Sequence, residues 1–259
     1  MYMIKAIFLD FDSTLFSHVT KKIPDSAYEA VLKAQKNNIK VFLATGRDIK
    51  EIEYFDTRNI KFDGYVLDDG QLLLDKDLNT LEVIYMTGKD RDQVINLFNN
   101  NKYPVMIRTR EEGFINYLNE TTIKTLNDVD SEMPPVKDKI EDNILVATIF
   151  TENEEEKKQI ISDFKNSNVT WWHDNSCDVV PKQAHKMRGI LRMLKITNLN
   201  KDEVLACGDG ENDIEMISTL PHSVAMGNSV PSIKKAAEFI TADIDDNGLE
   251  IAFKHYNII

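Results

Sequence analysis

The feature that most restricts how this chain can fold is a rhythm of short apolar runs and helical segments. It begins at the N-terminus, changes after Gly70 and resumes near residue 186. Ala6-Ile7-Phe8-Leu9 reads as a buried strand within about residues 4–10. Pro24 opens a helix on which Ala27, Ala30, Val31 and Ala34 recur at helical spacing, and Asn37-Asn38 ends it. Ile39–Ala44 is a second strand running into Thr45-Gly46-Arg47, a short helix starts at Asp48, and Gly64–Leu67 is a third strand. The order β-α-β-α-β calls for parallel strands joined by crossover helices. After residue 186 come a helix with Ile190, Leu191 and Leu194, a strand Glu203–Cys207, a helix 212–218, a strand Ser223–Ala225, and helices 231–237 and 246–255. The stretch between differs. Gln71–Leu74 and Leu81–Met86 read as a hairpin, followed by helices near 90–101 and 153–166 and strands near 103–108, 113–117, 143–150, 169–173 and 176–180. That mixture is a separate α+β unit.

With 31 basic and 43 acidic residues the net charge is −12, which repels phosphate backbones and anionic bilayers. Nucleic acid and membranes are therefore not expected partners, and a phosphate handled here needs a cation beside it. Cys177 and Cys207 lie too far apart in sequence to suggest a disulfide framework, which fits a reducing cytoplasm. Lys5 and Asp10 interrupt any signal-peptide layout, and no run approaches the ~18 apolar residues of a membrane span. The expectation is a cytoplasmic protein, monomer or weak dimer, acting on a small molecule.

Three of the expected strands end in polar or small residues: Asp10 and Asp12; Thr45 and Gly46; Asp209, Asn212 and Asp213. Ligands of open parallel sheets sit beyond the carboxyl ends of the strands, so these three endings can face one crevice. Asp10, Asp12 and Asp209 gathered together repel one another, and Mg²⁺ is the hard, oxygen-seeking ion that relieves the repulsion and neutralises an entering phosphate. An aspartate beside a phosphoryl group can attack it, and a second carboxylate two residues on can protonate the leaving oxygen and then activate water. Thr45 and backbone N–H groups near Phe11 and Gly46 are candidates to hold the phosphoryl oxygens. A lysine would complete the charge balance; Lys186 heads a helix in the right half of the chain, with Lys182 as its rival.

Asp10-Phe11-Asp12-Ser13-Thr14, Ala44-Thr45-Gly46-Arg47, Lys186 and Gly208-Asp209-Gly210-Glu211-Asn212-Asp213 together resemble the four motifs of the haloacid dehalogenase superfamily. The insert resembles the type IIB α/β cap of the Cof-like sugar-phosphate phosphatases. Val224–Asn228, Ile240-Thr241-Ala242 and Asp246-Asn247-Gly248 are also similar to that subfamily. The resemblance implies an α/β fold: a Rossmann-like, doubly wound parallel-sheet core from residues 1–81 and 184–259. An α+β cap at 82–183 would set substrate specificity, move as a lid and keep its strands out of the core sheet. It implies Asp10 as nucleophile and metal ligand, and Asp12 as general acid and base with its backbone carbonyl on Mg²⁺. Thr45, Gly46 and Asn212 would bind phosphate, Lys186 would pair with nucleophile and phosphoryl group, and Asp209 would ligate metal. Asp213 would hold the metal through water or orient Lys186.

The chain departs from the family pattern at Ser13 (usually glycine), at Asp68-Asp69-Gly70 (usually Asn-Gly), and at His185 and Met187 beside Lys186. Arg47 stands where it can contact the non-phosphoryl part of a substrate. Trp171-Trp172-His173 reads as a cap strand, and Arg108 and Arg110 share one face of another. The expected activity is Mg²⁺-dependent hydrolysis of phosphate monoesters of small metabolites such as sugar phosphates. The competing readings are phosphomannomutase-type transfer and a non-catalytic phosphosugar sensor on the same fold.

Overall fold

A computed structural model describes residues 3–129, 131–140 and 143–259. The chain divides into two compact units, Met1–Val83 with Ala184–Ile259, and Ile84–Gln183. The first unit opens with β1 (Ala6–Leu9), α1 (Asp25–Lys36), β2 (Lys40–Ala44), α2 (Ile49–Tyr54), β3 (Gly64–Leu67), β4 (Leu72–Asp75) and β5 (Thr80–Val83). The second holds α3 (Gly88–Asn99), β6 (Val105–Arg108), β7 (Gly113–Ile115), α4 (Glu120–Asp128), β8 (Val146–Phe150), α5 (Glu154–Asp163), β9 (Ser167–His173) and β10 (Ser176–Pro181). The chain returns to the first unit through α6 (Lys186–Thr197), β11 (Val204–Gly208), α7 (Ile214–Thr219), β12 (His222–Ala225), α8 (Pro231–Ala236), β13 (Phe239–Ile240) and α9 (Gly248–His255).

The first unit is built on an eight-stranded sheet in the order β13-β12-β11-β1-β2-β3-β4-β5. Pairing is parallel from β13 to β3 and antiparallel from β3 to β5. Strand alternation sends Ile7, Leu9, Val41 and Leu43 into a core with Ala27, Val31 and Phe253, while Ala6, Phe8, Phe42 and Ala44 pack with Met187, Ile190, Met216 and Ile217. Both faces are therefore covered, which is why these strands read as unbroken apolar runs. β1 lies between β2 and β11, so the endings at Asp10, Thr45 and Asp209 come out side by side at one edge of the sheet.

The second unit is a five-stranded antiparallel sheet, β7-β6-β8-β10-β9. Val94, Leu97 and Phe98 of α3 and Ile160 of α5 pack on Val105, Ile107, Ala147, Ile149, Cys177 and Val179. A smaller cluster of Ile115, Leu126 and Phe150 sits under α4.

The structure corrects one boundary and adds two elements. The core hairpin runs to Val83, with Leu72 opposite Val83 and Leu73 opposite Glu82, so residues 82 and 83 belong to the core sheet and not to the insert. Helix α4 was not expected, because Thr121, Thr122 and Thr125 depress helix propensity; the Asn119 side chain caps it by accepting from the Thr122 N–H at 2.8 Å. The two-residue β13 also escaped notice. Among the described residues no helix is long and apolar enough to cross a membrane.

Candidate active site

Asp10 follows directly on β1 and its side chain is almost fully buried. It meets Lys186, the first residue of α6, whose Nζ donates to Asp10 Oδ1 at 2.7 Å and to Asp213 Oδ1 at 2.5 Å. Lys186 is 1% exposed, and so large a buried cation requires such partners. Close approach of two glycines sets its place. A Cβ on Gly189 of α6 would lie 2.6 Å from the Gly70 Cα, so only bare backbone lets the helix approach the turn after β3 this closely. Lys182 belongs to the insert unit, and the lysine bonded in this cluster is Lys186.

Asp213 does two jobs. Oδ1 receives Lys186, and Oδ2 accepts the backbone N–H groups of Asp209 and Gly210 at 3.0 and 3.2 Å, closing the loop after β11. Gly208 makes room for it, since a Cβ there would lie 2.5 Å from Asp213 Oδ2. Asp209 Oδ1 accepts from the Thr14 hydroxyl at 2.9 Å. Carboxylate oxygens of Asp10, Asp209 and Asp213 all lie within 4.8 Å of one another.

The electrostatics follow from that crowding. Burial, reinforced by Asp213, lifts Asp10 well above the usual carboxylate range despite the opposing pull of Lys186. Burial would lower Lys186, but the Asp10 and Asp213 carboxylates outweigh it and hold the ammonium charged. Asp209 is pushed up to about 6 by burial and then by Asp213, against the lowering effect of the Thr14 hydrogen bond. Three carboxylates, two of them bonded to the one lysine, are thus crowded in a low-dielectric place. All-oxygen donors in excess of local positive charge suit a hard divalent cation, so the residues present fit one.

Asp12 is arranged differently. Its carboxylate turns to Arg47, whose Nε donates to Oδ1 and Oδ2 at 3.0 and 2.8 Å and whose Nη2 donates to Oδ1 at 2.8 Å. His18 Nε2 lies 2.6 Å from Oδ1 on the other side. Burial would raise Asp12, but the hydrogen bonds from His18 and Arg47, and then their charges, bring it to about 2. The Asp12 side chain therefore stands apart from the three-carboxylate cluster.

Thr45 is buried at the end of β2, its hydroxyl accepting the Arg47 N–H at 3.2 Å. Gly46 lies against the Asp69 carboxylate, which a Cβ on Gly46 would approach to 3.2 Å. Phe11 buries its ring in the core, so only its backbone faces the site. Asn212 is exposed on the loop after β11. Ser13 adopts φ 57°, the left-handed conformation that explains the usual glycine.

Sequence reasoning missed four residues. His18 carries no local signal as a partner for Asp12. Thr14 lay within the quoted motif, yet its bond to Asp209 links segments 195 positions apart. Asn228, whose Nδ2 donates to the Ser13 carbonyl at 2.8 Å, buttresses the loop after β1 from the tail motif. Asp69 was noted only as a departure; it takes φ 50° between Asp68 (49°) and Gly70 (87°) and adds its charge to those holding up Lys186.

The chain matches the family described as haloacid dehalogenase-like hydrolase over residues 7–253. It is 26% identical over 264 residues to the Bacillus subtilis (strain 168) protein named "Putative phosphatase YkrA", covering 98% of both chains. Among solved structures it is similar to the HAD subclass IIB sugar phosphatase BT4131, at TM-score 0.82 and 27% identity, covering 98% of this chain and 100% of that one. It is also similar to BT1666 from Bacteroides thetaiotaomicron, a phosphatase of the same superfamily, at TM-score 0.84 and 27% identity, covering 99% of this chain and 96% of the other.

Proposed function

The chain belongs to the haloacid dehalogenase-like hydrolase family, and on that footing we propose that it is a cytoplasmic phosphatase for phosphate monoesters of small metabolites, sugar phosphates in particular. The observation that carries this reading is the buried Asp10–Lys186–Asp213 bridge beside Asp209. It holds the Asp10 carboxylate, the proposed nucleophile, at the end of β1 and leaves an excess of anionic oxygen around it. A Mg²⁺ ion held by Asp10, the Asp12 backbone carbonyl, Asp209 and, directly or through water, Asp213 would neutralise charge on the nucleophile and on the phosphate.

In the first step an Asp10 oxygen attacks phosphorus, the phosphorus–oxygen bond to the sugar breaks, and the departing alkoxide takes a proton from Asp12. In the second, Asp12 takes a proton from water, the water oxygen attacks the aspartyl-phosphate, and Asp10 is freed with release of inorganic phosphate. Thr45, the backbone N–H groups near Phe11 and Gly46, Lys186 and Asn212 hold the phosphoryl oxygens. Arg47 serves twice: it forks Asp12 in the ligand-free site, and it turns toward the arriving anionic substrate. Losing that cation raises Asp12 from its low value toward the range where it can carry a proton. The insert, residues 84–183, sets which leaving groups are accepted.

The test is a phosphate-release screen over sugar phosphates, nucleotides and cofactor phosphates with and without Mg²⁺. Mg²⁺-dependent release, greatest with sugar phosphates, is the expected result. Full turnover in excess chelator, or isomer formation without free phosphate, would overturn it.

A further inference from the structure

We propose that His18 is a positioning residue that fixes which oxygen of Asp12 faces the leaving group. This rests on the phosphatase reading above and adds a residue that neither the motifs nor the comparisons assign.

The two oxygens of Asp12 are not equivalent. Oδ1 receives Arg47 Nη2 at 2.8 Å, Arg47 Nε at 3.0 Å and His18 Nε2 at 2.6 Å, whereas Oδ2 receives only Arg47 Nε at 2.8 Å. A carboxylate can only accept, so His18 Nε2 carries the hydrogen in this contact. When the guanidinium turns toward a substrate, Oδ2 is released while Oδ1 stays on His18. Oδ2 is then the oxygen left to hold and deliver the proton, and the carboxylate cannot rotate without losing its imidazole partner.

His18 is held for the task. Its ring meets Phe16 edge-on at 5.5 Å and Phe55 at 6.3 Å. Phe55 also lies 4.7 Å beneath the Arg47 guanidinium. Phe16 and Phe55 pack on each other at 4.8 Å, and each lies 5.4 Å from buried Phe11, the residue between Asp10 and Asp12. One aromatic platform therefore carries both arms that grip Asp12, and its floor is the catalytic loop itself. A surface ion pair formed by chance would not share its footing with the loop it grips. Proton transfer depends steeply on donor placement, so loosening one arm should cost about tenfold in the steps that need Asp12.

The experiment compares wild type, His18→Ala, His18→Gln and Phe55→Leu on a sugar phosphate and on p-nitrophenyl phosphate at saturating Mg²⁺. A sugar alkoxide needs a donated proton and an activated aryl oxide largely does not. His18→Ala should lower kcat about tenfold on the sugar phosphate and less than threefold on the aryl phosphate, with KM and the Mg²⁺ concentration dependence unchanged. His18→Gln, which keeps an N–H donor, should recover most of the loss. Phe55→Leu, which touches no carboxylate, should reproduce the leaving-group-dependent loss in weaker form. Equal losses on both substrates, a loss confined to KM or Mg²⁺ dependence, or no loss would overturn the role of His18 while the phosphatase reading stands. Wild-type protein that releases phosphate from neither substrate would overturn both.

Discussion

Each unit of this protein places a cation against a carboxylate inside a sheet-based fold, yet the two clusters are built to different ends. In the core, Lys186 is shared by Asp10 and Asp213, with Asp209 close by, and both Asp10 and Asp209 are pushed above the usual carboxylate range. In the insert, Asp178 receives Arg108 Nη2 at 3.0 Å, the Thr148 hydroxyl at 2.6 Å and Trp172 Nε1 at 3.1 Å. Three donors from three other strands of the same sheet converge on that one carboxylate. The insert cluster answers its own charge, and the core cluster leaves carboxylates in excess. A fully satisfied polar network rigidifies a core; carboxylates left in excess mark a candidate ligand site.

The largest effects should come from the core carboxylates. Asp10→Asn should abolish turnover and covalent labelling together. Asp12→Asn keeps the nucleophile and should lose ~10²–10⁴-fold in rate on sugar phosphates, the usual worth of a general acid. With an aryl phosphate its first step should suffer less and the phosphoenzyme should persist, because water is no longer activated. Rapid-mix trapping with labelled aryl phosphate checks this: label on Asp10 in Asp12→Asn and none in Asp10→Asn. If neither variant traps label, the two aspartates do not divide the work as argued.

Next in size is a contrast in stability. Lys186→Met leaves Asp10 and Asp213 buried without their cation, and losing one partner of a buried pair costs about 3–5 kcal/mol. Arg108→Met leaves Asp178 with the Thr148 and Trp172 donors and should cost only about 1–3 kcal/mol. Urea denaturation in chelator measures both, and aryl phosphate turnover should survive Arg108→Met. Equal costs would erase the distinction between the clusters.

A smaller effect concerns pH and metal. Asp209 keeps its proton in the metal-free fold up to about 6, whereas the unfolded chain releases it near the ordinary carboxylate value. Between those values the folded state binds more protons, so this group's contribution to stability is full at low pH and is lost as pH rises through about 6. Mg²⁺ must displace the same proton. The rise in melting temperature on adding Mg²⁺ should therefore grow from pH 5 to pH 7, and a shift that is flat with pH would remove Asp209 from the metal site. Ca²⁺, with more ligands at longer distances, should support turnover poorly.

What could be read from sequence divides along the same lines. The parallel strands were legible because both faces of the core sheet are covered, which makes Ala6–Leu9 and Val204–Gly208 continuous apolar runs. Their polar endings were legible because three of them follow adjacent strands, whereas a single aspartate at a strand end is an ordinary turn residue. The grip on Asp12 was not. His18 reaches it only because the segment after Thr14 folds back on itself, through a bridge between Asp12 and Phe16, and no periodicity records that turn. Helix α4 was hidden by its threonines, which read as strand or loop until Leu126 is buried beside Ile115 and Phe150.

Ser13 sharpens the comparison with the smallest effect. Its φ of 57° is held from outside: the Ser13 carbonyl accepts Asn228 Nδ2 at 2.8 Å and its N–H donates to the Phe16 carbonyl at 2.9 Å. Serine tolerates the left-handed region poorly, at about 1 kcal/mol or more, while glycine enters it freely but gives up about 0.5–1 kcal/mol through its larger unfolded entropy. Ser13→Gly should therefore gain between about 0 and 2 kcal/mol, with kcat unchanged because the carbonyl and N–H bonds remain. Asn101, in the turn after α3 of the insert, has φ 50° and is a residue type that accepts this conformation. Asn101→Gly should gain nothing or lose a few tenths of a kcal/mol. Matched urea denaturation of the two variants decides the point. A larger gain at Ser13 locates backbone strain in the loop that carries Asp10 and Asp12, where the surrounding contacts can sustain it. A gain at Asn101 equal to that at Ser13 would mean that the core loop is no more strained than an ordinary turn, and that only the charges, not the backbone, set the site apart from the insert.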